Sequence, residues 1–152
     1  MTAIDDLIAD FDILDDWEDR YRHVIELGRQ LPALSEAAHS PANKVRGCAS
    51  QVWITSVASG DTANPVLSFA GDSDALIVKG LIAIAFMIFS GKTAQEILAT
   101  DAGEVLGRLG LAGHLTQQRS NGFASMIARI KHDAQIALHP PAASSAAGID
   151  GR

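Results

Sequence analysis

The first apolar positions of the chain are Ile4, Leu7, Ile8, Phe11 and Leu14. Intervals of three and four put them on one side of a helix, so a short amphipathic helix is expected to open the chain. Trp17, Tyr21, Val24 and Ile25 repeat the spacing, with Asp15 and Glu18 at capping-box separation ahead of them. This second helix is expected to stop near Pro32, whose ring cannot continue it. Residues 33–44 show no period and contain Pro41 and Asn43, the pattern of a long loop. From Gln51 to Ala58 the sequence QVWITSVA is rich in β-branched and aromatic residues and predicts a strand. Turn chemistry fills 59–65, and Val66 to Phe69 predicts a returning strand. The longest apolar run, Leu76 to Phe89, predicts a buried central helix capped by Asp72 or Ser73. Thr93 with Glu96, and Asp101 with Glu104, have capping spacing before short helices, and Gly110 is a natural stop. Thr116 is placed to cap a final long helix in which Phe123, Ile127, Ile130 and Ala134 share one face.

Helices, a small sheet, then helices again predict an α+β fold, with a small antiparallel sheet packed against several helices. Residues 1–138 are expected to form a single domain. The Pro-, Ala-, Ser- and Gly-rich residues 139–152 are expected to be a disordered tail.

Composition narrows the function. At 47% hydrophobic the 152-residue chain has enough apolar surface for a core. Its net charge of -6 and lack of a basic stripe argue against nucleic-acid binding. Acids crowd Asp5, Asp6, Asp10, Asp12, Asp15, Asp16, Glu18 and Asp19, which fits a solvated helix face or a docking surface for a basic partner. The apolar run is shorter than the ~18 residues of a membrane span, and Lys79 interrupts it. One cysteine cannot form an internal disulfide, and the first residues carry no signal pattern. A cytoplasmic location, away from membranes, is the expectation.

Candidate chemistry is sparse. Ser90-Gly91-Lys92-Thr93 ends like a phosphate-binding loop, but Phe86 stands where that motif needs glycine, and the segment follows a helix rather than a strand. His23, His39, His114, His132 and His139 lack the close spacing of a metal site, so no metal is expected. Trp17, Tyr21 and Trp53 fall on apolar periods and are expected to pack in the core. Cys48 stands apart. It lies in Asn43-Lys44-Val45-Arg46-Gly47-Cys48-Ala49-Ser50, between the long loop and the first strand. Gly47 permits a tight turn beside the sulfur, and Lys44 and Arg46 are near enough in sequence to favour thiolate. Val45, Val52 and Trp53 bracket the cysteine and are expected to line a shielding apolar pocket. These residues fit either a reactive thiol or a small buried hydrophobe.

The segment from Asn43 to Ile54 resembles the signature of SufE, the sulfur-acceptor family of iron–sulfur cluster assembly. Three further blocks are similar in order and spacing: Trp17-Glu18 through Ile25-Glu26-Leu27-Gly28, Gly71 through Leu81, and His114-Leu115-Thr116 with Arg119-Ser120-Asn121-Gly122 and Met126. The resemblance runs from about Asp6 to Ile136 and departs at Ala49, where the family often has a larger residue. It implies a SufE-like α+β fold with Cys48 on a loop tip. It implies that Cys48 takes persulfide sulfur from a pyridoxal-phosphate cysteine desulfurase, speeds that enzyme's turnover and passes the sulfur to a cluster scaffold complex. The chain would then be a covalent carrier rather than an enzyme, with no bound cofactor of its own, as monomer or homodimer. Lys44, Arg46, Gly47 and Arg119 become candidate supporting or docking residues. The sister acceptor that serves a different cysteine desulfurase shares the same blocks. A thiol peroxidase and an inert interaction domain are the competing classes.

Overall fold

The computed structural model describes residues 3–111 and 113–139. The expected tail lies outside the described residues, apart from His139 at its start.

Helix α1 (Ala3–Ile13) buries Leu7 and Phe11, as its apolar spacing requires. Its terminal carbonyls have no partner within the helix. The Arg20 guanidinium supplies one, donating to the carbonyls of Phe11 at 3.0 Å and Leu14 at 2.8 Å. Arg20 belongs to α2 (Trp17–Arg29), which ends shortly before Pro32 as expected. The cap of α2 is Asp16 rather than Asp15: its carboxylate accepts from the Glu18 backbone N–H at 3.0 Å. A carboxylate two residues ahead reaches that donor directly, so no capping box is needed.

The segment from 33 to 44 contains a single 3₁₀ turn, Glu36–Ala38. Strands β1 (Val52–Ser59) and β2 (Val66–Ser73) then pair antiparallel, in register from Val52 opposite Ser73 to Ser59 opposite Val66. β2 therefore runs four residues past the expected end at Phe69, because backbone pairing continues where the apolar signal has stopped. This occupies Asp72 and Ser73, so neither caps α3 (Leu76–Phe89). Ala75 stands at that position without a side-chain cap, and Ser73 Oγ instead accepts from the Ala75 N–H at 3.2 Å.

α3 is the axis of the core. It is buried nearly all round, from Ile77 to Phe89, as an apolar run without a polar face must be. β2, α1 and α2 pack on it, as does α6 (Gln117–Leu138). α2 crosses it at backbone distance, since a Cβ on Gly28 would lie 2.6 Å from the Gly80 nitrogen. Short helices α4 (Ala94–Ala99) and α5 (Ala102–Arg108) connect α3 to α6. Ser90–Thr93 is the turn into α4, and Thr93 and Glu96 form the expected capping box. Asp101 and Thr116 cap α5 and α6 as expected. Phe123, Ile130 and Ala134 of α6 are buried together with Met126, while Ile127 is only partly covered. The architecture is α+β, with a two-stranded antiparallel sheet and six α-helices among the described residues. Among the described residues no helix is long and apolar enough to cross a membrane.

Candidate functional site

Two backbone bonds close the base of the cysteine loop. The Val45 N–H donates to the Val52 carbonyl at 2.8 Å, and the Ile54 N–H donates to the Asn43 carbonyl at 2.9 Å. Between them the Gln51 N–H donates to Asp74 Oδ1 at 3.1 Å, tying the loop to the connection between β2 and α3. The loop lies against α6. Gly47 has φ +89°, a left-handed conformation that disfavours a side chain, and a Cβ there would lie 2.5 Å from Ser125 Oγ. Cys48 follows, its Sγ donating weakly to the Gly122 carbonyl at 3.5 Å.

Beside the sulfur is a pocket of about 130 Å³. Ile77, Val78 and Leu81 of α3 and Met126 of α6 supply its apolar wall. Gln118 and Arg119 stand on its polar side, and Ala49 and Ser50 on the loop side. Cys48 is partly buried there, and burial pushes its thiol above the ordinary value by disfavouring the charged form. No neighbouring charge contributes to that shift.

The structure thus brings Cys48, Gly47 and Arg119 together and separates Lys44 and Arg46 from them. Lys44 and Arg46 are exposed beside a different groove on α6, and the expected activation of the thiol by their charges is absent. The expected pocket of Val45, Val52 and Trp53 is also corrected. Val45 and Val52 are buried in the core, and Trp53 packs edge-on against His39 with ring centroids 4.7 Å apart. Val52 and Trp53 are successive strand residues, whose side chains take opposite faces, and neither they nor Val45 line the pocket beside Cys48. Apart from Ala49 and Ser50, the actual lining comes from residues 27 to 78 positions further along the chain, beyond the reach of local pattern. Gly122 and Met126 did stand in a block that resembled the family, and that was the signal available.

A second polar cluster braces the approach to this loop. His39 Nδ1 lies 2.8 Å from the Ser35 carbonyl and Nε2 lies 2.7 Å from Asp72 Oδ2. Lys79 Nζ is 3.5 Å from Asp72 Oδ1. Burial pushes the Asp72 carboxyl upward, but hydrogen bonds from His39 and the Ser73 N–H, with the Lys79 charge, hold it below its ordinary value. Of the aromatics, Trp17 stacks on His114 at 4.2 Å and meets Tyr21 edge-on, and both are partly buried against the core, whereas Trp53 is partly buried against His39 instead. Among the described residues no three His, Cys, Asp or Glu side chains come together as a metal-binding group.

Comparison with known proteins bears on the family and the fold. The family model described as SufE, Fe-S metabolism associated domain, matches residues 5–134. An uncharacterized SufE-like protein of Rhizobium etli is 55% identical over 136 residues, covering 90% of this chain and 92% of that protein. Another, from Rhizobium meliloti, is 55% identical over 135 residues, covering 89% of this chain and 96% of that one. The solution structure of a hypothetical protein from Thermus thermophilus superposes with a TM-score of 0.71 over 89% of this chain and 95% of its own, at 17% identity, which bears on the fold alone. With the family's domain spanning nearly the whole chain and relatives of this identity and coverage, this protein belongs to the SufE family, associated with iron–sulfur metabolism.

Proposed function

We propose that this protein is a covalent sulfur carrier, accepting persulfide sulfur on Cys48 from a cysteine desulfurase and handing it to an iron–sulfur cluster scaffold. The observation that carries the reading is free space beside the Cys48 sulfur. A water-sized atom needs about 10–15 Å³ of such volume, and the pocket offers about 130 Å³ with an apolar wall. One added sulfur fits there, screened from cytoplasmic thiols by Ile77, Leu81 and Met126.

The transfer is a thiol–disulfide type exchange. The Cys48 thiolate attacks the outer sulfur of the partner's persulfide. A new sulfur–sulfur bond forms on Cys48, the partner's own sulfur–sulfur bond breaks, and the partner's cysteine leaves as a thiolate. No electrons are gained or lost overall. The pyridoxal phosphate that frees sulfur from cysteine belongs to the desulfurase. Cys48 is the only cysteine in the chain. No second thiol is present to turn the persulfide into an internal disulfide, which suits a carrier. Removal of the sulfur from the desulfurase frees it for another turnover, so the carrier also stimulates its partner. The reading places this chemistry in the cytoplasm, where thiols stay reduced.

The test is intact-mass analysis after incubation with each candidate desulfurase, pyridoxal phosphate and cysteine. The wild type gains one sulfur, reversibly with dithiothreitol, and Cys48→Ser gains none. Equal gain in both forms overturns the proposal. Comparison of several desulfurases identifies the partner.

A further inference from the structure

Adjoining the Cys48 pocket, α6 forms one wall of a second groove, at Ser125, Ala128, Arg129 and His132. The opposite wall carries Lys44 and Arg46. The two depressions share a boundary where Gly47 packs on Ser125. Among the described residues no carboxylate lines the groove. Arg129 is held in place by Asp133 Oδ1 at 3.1 Å and the Ile54 carbonyl at 3.4 Å. Lys44 and Arg46 are different. Both are exposed, and neither forms an ion pair among the described residues. Burial of Val45 between them holds both charges at the surface.

These two cations have no internal task in view. They do not shift the Cys48 thiol, whose only perturbation is burial. They gather in the groove adjoining the Cys48 pocket, in a chain whose net charge is -6. The acids concentrate instead on α1 and the start of α2, elements that pack on α3. A surface polarised in this way orients an approaching partner.

We infer that the groove between the Cys48 loop and α6 receives an acidic segment of the protein that delivers sulfur, an interaction resting on the acceptor reading above. An Asp- or Glu-rich strand or loop laid along Lys44, Arg46 and Arg129 would bring its neighbouring persulfide to the loop from the α6 side. Because Lys44 and Arg46 are solvated, their contribution is steering and register, and it weakens with salt.

Ala128 gives the cleanest test, since it is exposed, lies on α6 and is not part of the cysteine loop. The concentration of acceptor giving half-maximal sulfur transfer from the desulfurase is measured for wild type, Ala128→Glu, Ala128→Lys and the double charge reversal Lys44→Glu/Arg46→Glu. Ala128→Glu raises that concentration about fivefold and Ala128→Lys lowers it, while the double reversal raises it about tenfold, with all differences shrinking in high salt. Transfer from a small-molecule persulfide to Ala128→Glu is run beside it and proceeds as in wild type. Equal half-maximal concentrations for the two Ala128 variants overturn the inference. So does an equal loss of transfer from both donors, which marks damage to the loop. A wild-type dimer that Ala128→Glu dissolves also overturns it, assigning the groove to the acidic α1 of a second copy. Wild type that takes sulfur from the small persulfide but never from a desulfurase overturns the acceptor reading itself, and this inference with it.

Discussion

In the proposed acceptor role, Cys48 would meet two opposed requirements. Attack on a persulfide needs thiolate, yet burial raises the thiol and keeps it protonated. On the same reading, this burial would protect the sulfur while the protein is alone. A partner that binds an outward-turned loop more tightly would resolve the conflict, since only differential affinity shifts a population. Iodoacetamide should therefore alkylate Cys48 in the isolated protein more slowly than free cysteine, and faster once a catalytically dead desulfurase is bound. Alkylation of the isolated protein at the free-cysteine rate would rule the shielded state out. His39 shows a second protonation-dependent contact. Both its ring nitrogens face acceptors, the Ser35 carbonyl and Asp72, with Trp53 against its ring and the Lys79 ammonium across Asp72. A neutral imidazole carries one N–H and donates to one of them, whereas imidazolium donates to both. The Asp72 hydrogen bond accordingly raises the His39 pKa above 6.5. A raised folded-state pKa gives stabilisation that is complete below 6.5 and lost as pH rises through the folded value. Unfolding measured across that window should show the loss, and His39→Gln should abolish the step. An NMR titration placing His39 at or below 6.5 would contradict it.

At the scale of elements, the crossing of α2 and α3 is the most demanding contact. A Cβ on Gly80 would run into the Val24 carbonyl, so two backbones must separate to admit one methyl group. Overpacking of this kind costs about 1–3 kcal/mol, and Gly80→Ala should fall at the upper end because backbone has no alternative rotamer. Gly107, in α5, has nothing within 4 Å of its Cβ position. Gly107→Ala should gain about 0.5–1 kcal/mol from helix propensity. Denaturant unfolding of the two variants decides the matter: shifts of the same sign would mean that the close crossing is not what Gly80 provides. Local signals were dependable where the chemistry was itself local. Thr93 with Glu96, Asp101 and Thr116 cap their helices because donor and acceptor lie within three residues. Asp72 and Ser73 were misleading because β1 claimed their backbone, a competition that composition around residue 72 does not register.

At the scale of the whole molecule, the buried residues of α1, α2, both strands, α3 and α6 form one hydrophobic cluster. Elements that share one core should lose it together. Trp17 sits on α2, packed against that cluster, and Trp53 on β1, edge-on to His39. With Trp17→Phe leaving Trp53 as the sole tryptophan, tryptophan fluorescence and far-ultraviolet circular dichroism should report one unfolding midpoint, and separated midpoints would show that the sheet melts independently. Much of this molecule was legible without coordinates. Hydrophobic period specified the helices and strands, capping pairs specified several of their starts, and the single cysteine in a family-like segment singled out Cys48, because each is carried by residues close together in the chain. What surrounds Cys48 was decided only by folding. α3 and α6 bring Ile77, Leu81, Arg119 and Met126 to the sulfur, while Val52 and Trp53, its near neighbours in sequence, turn elsewhere. The charges of Lys44 and Arg46, four and two residues away, face a separate groove. A thiol's pKa and shelter depend on what lies within a few ångströms in space, and here nearly all of that arrives from distant parts of the chain.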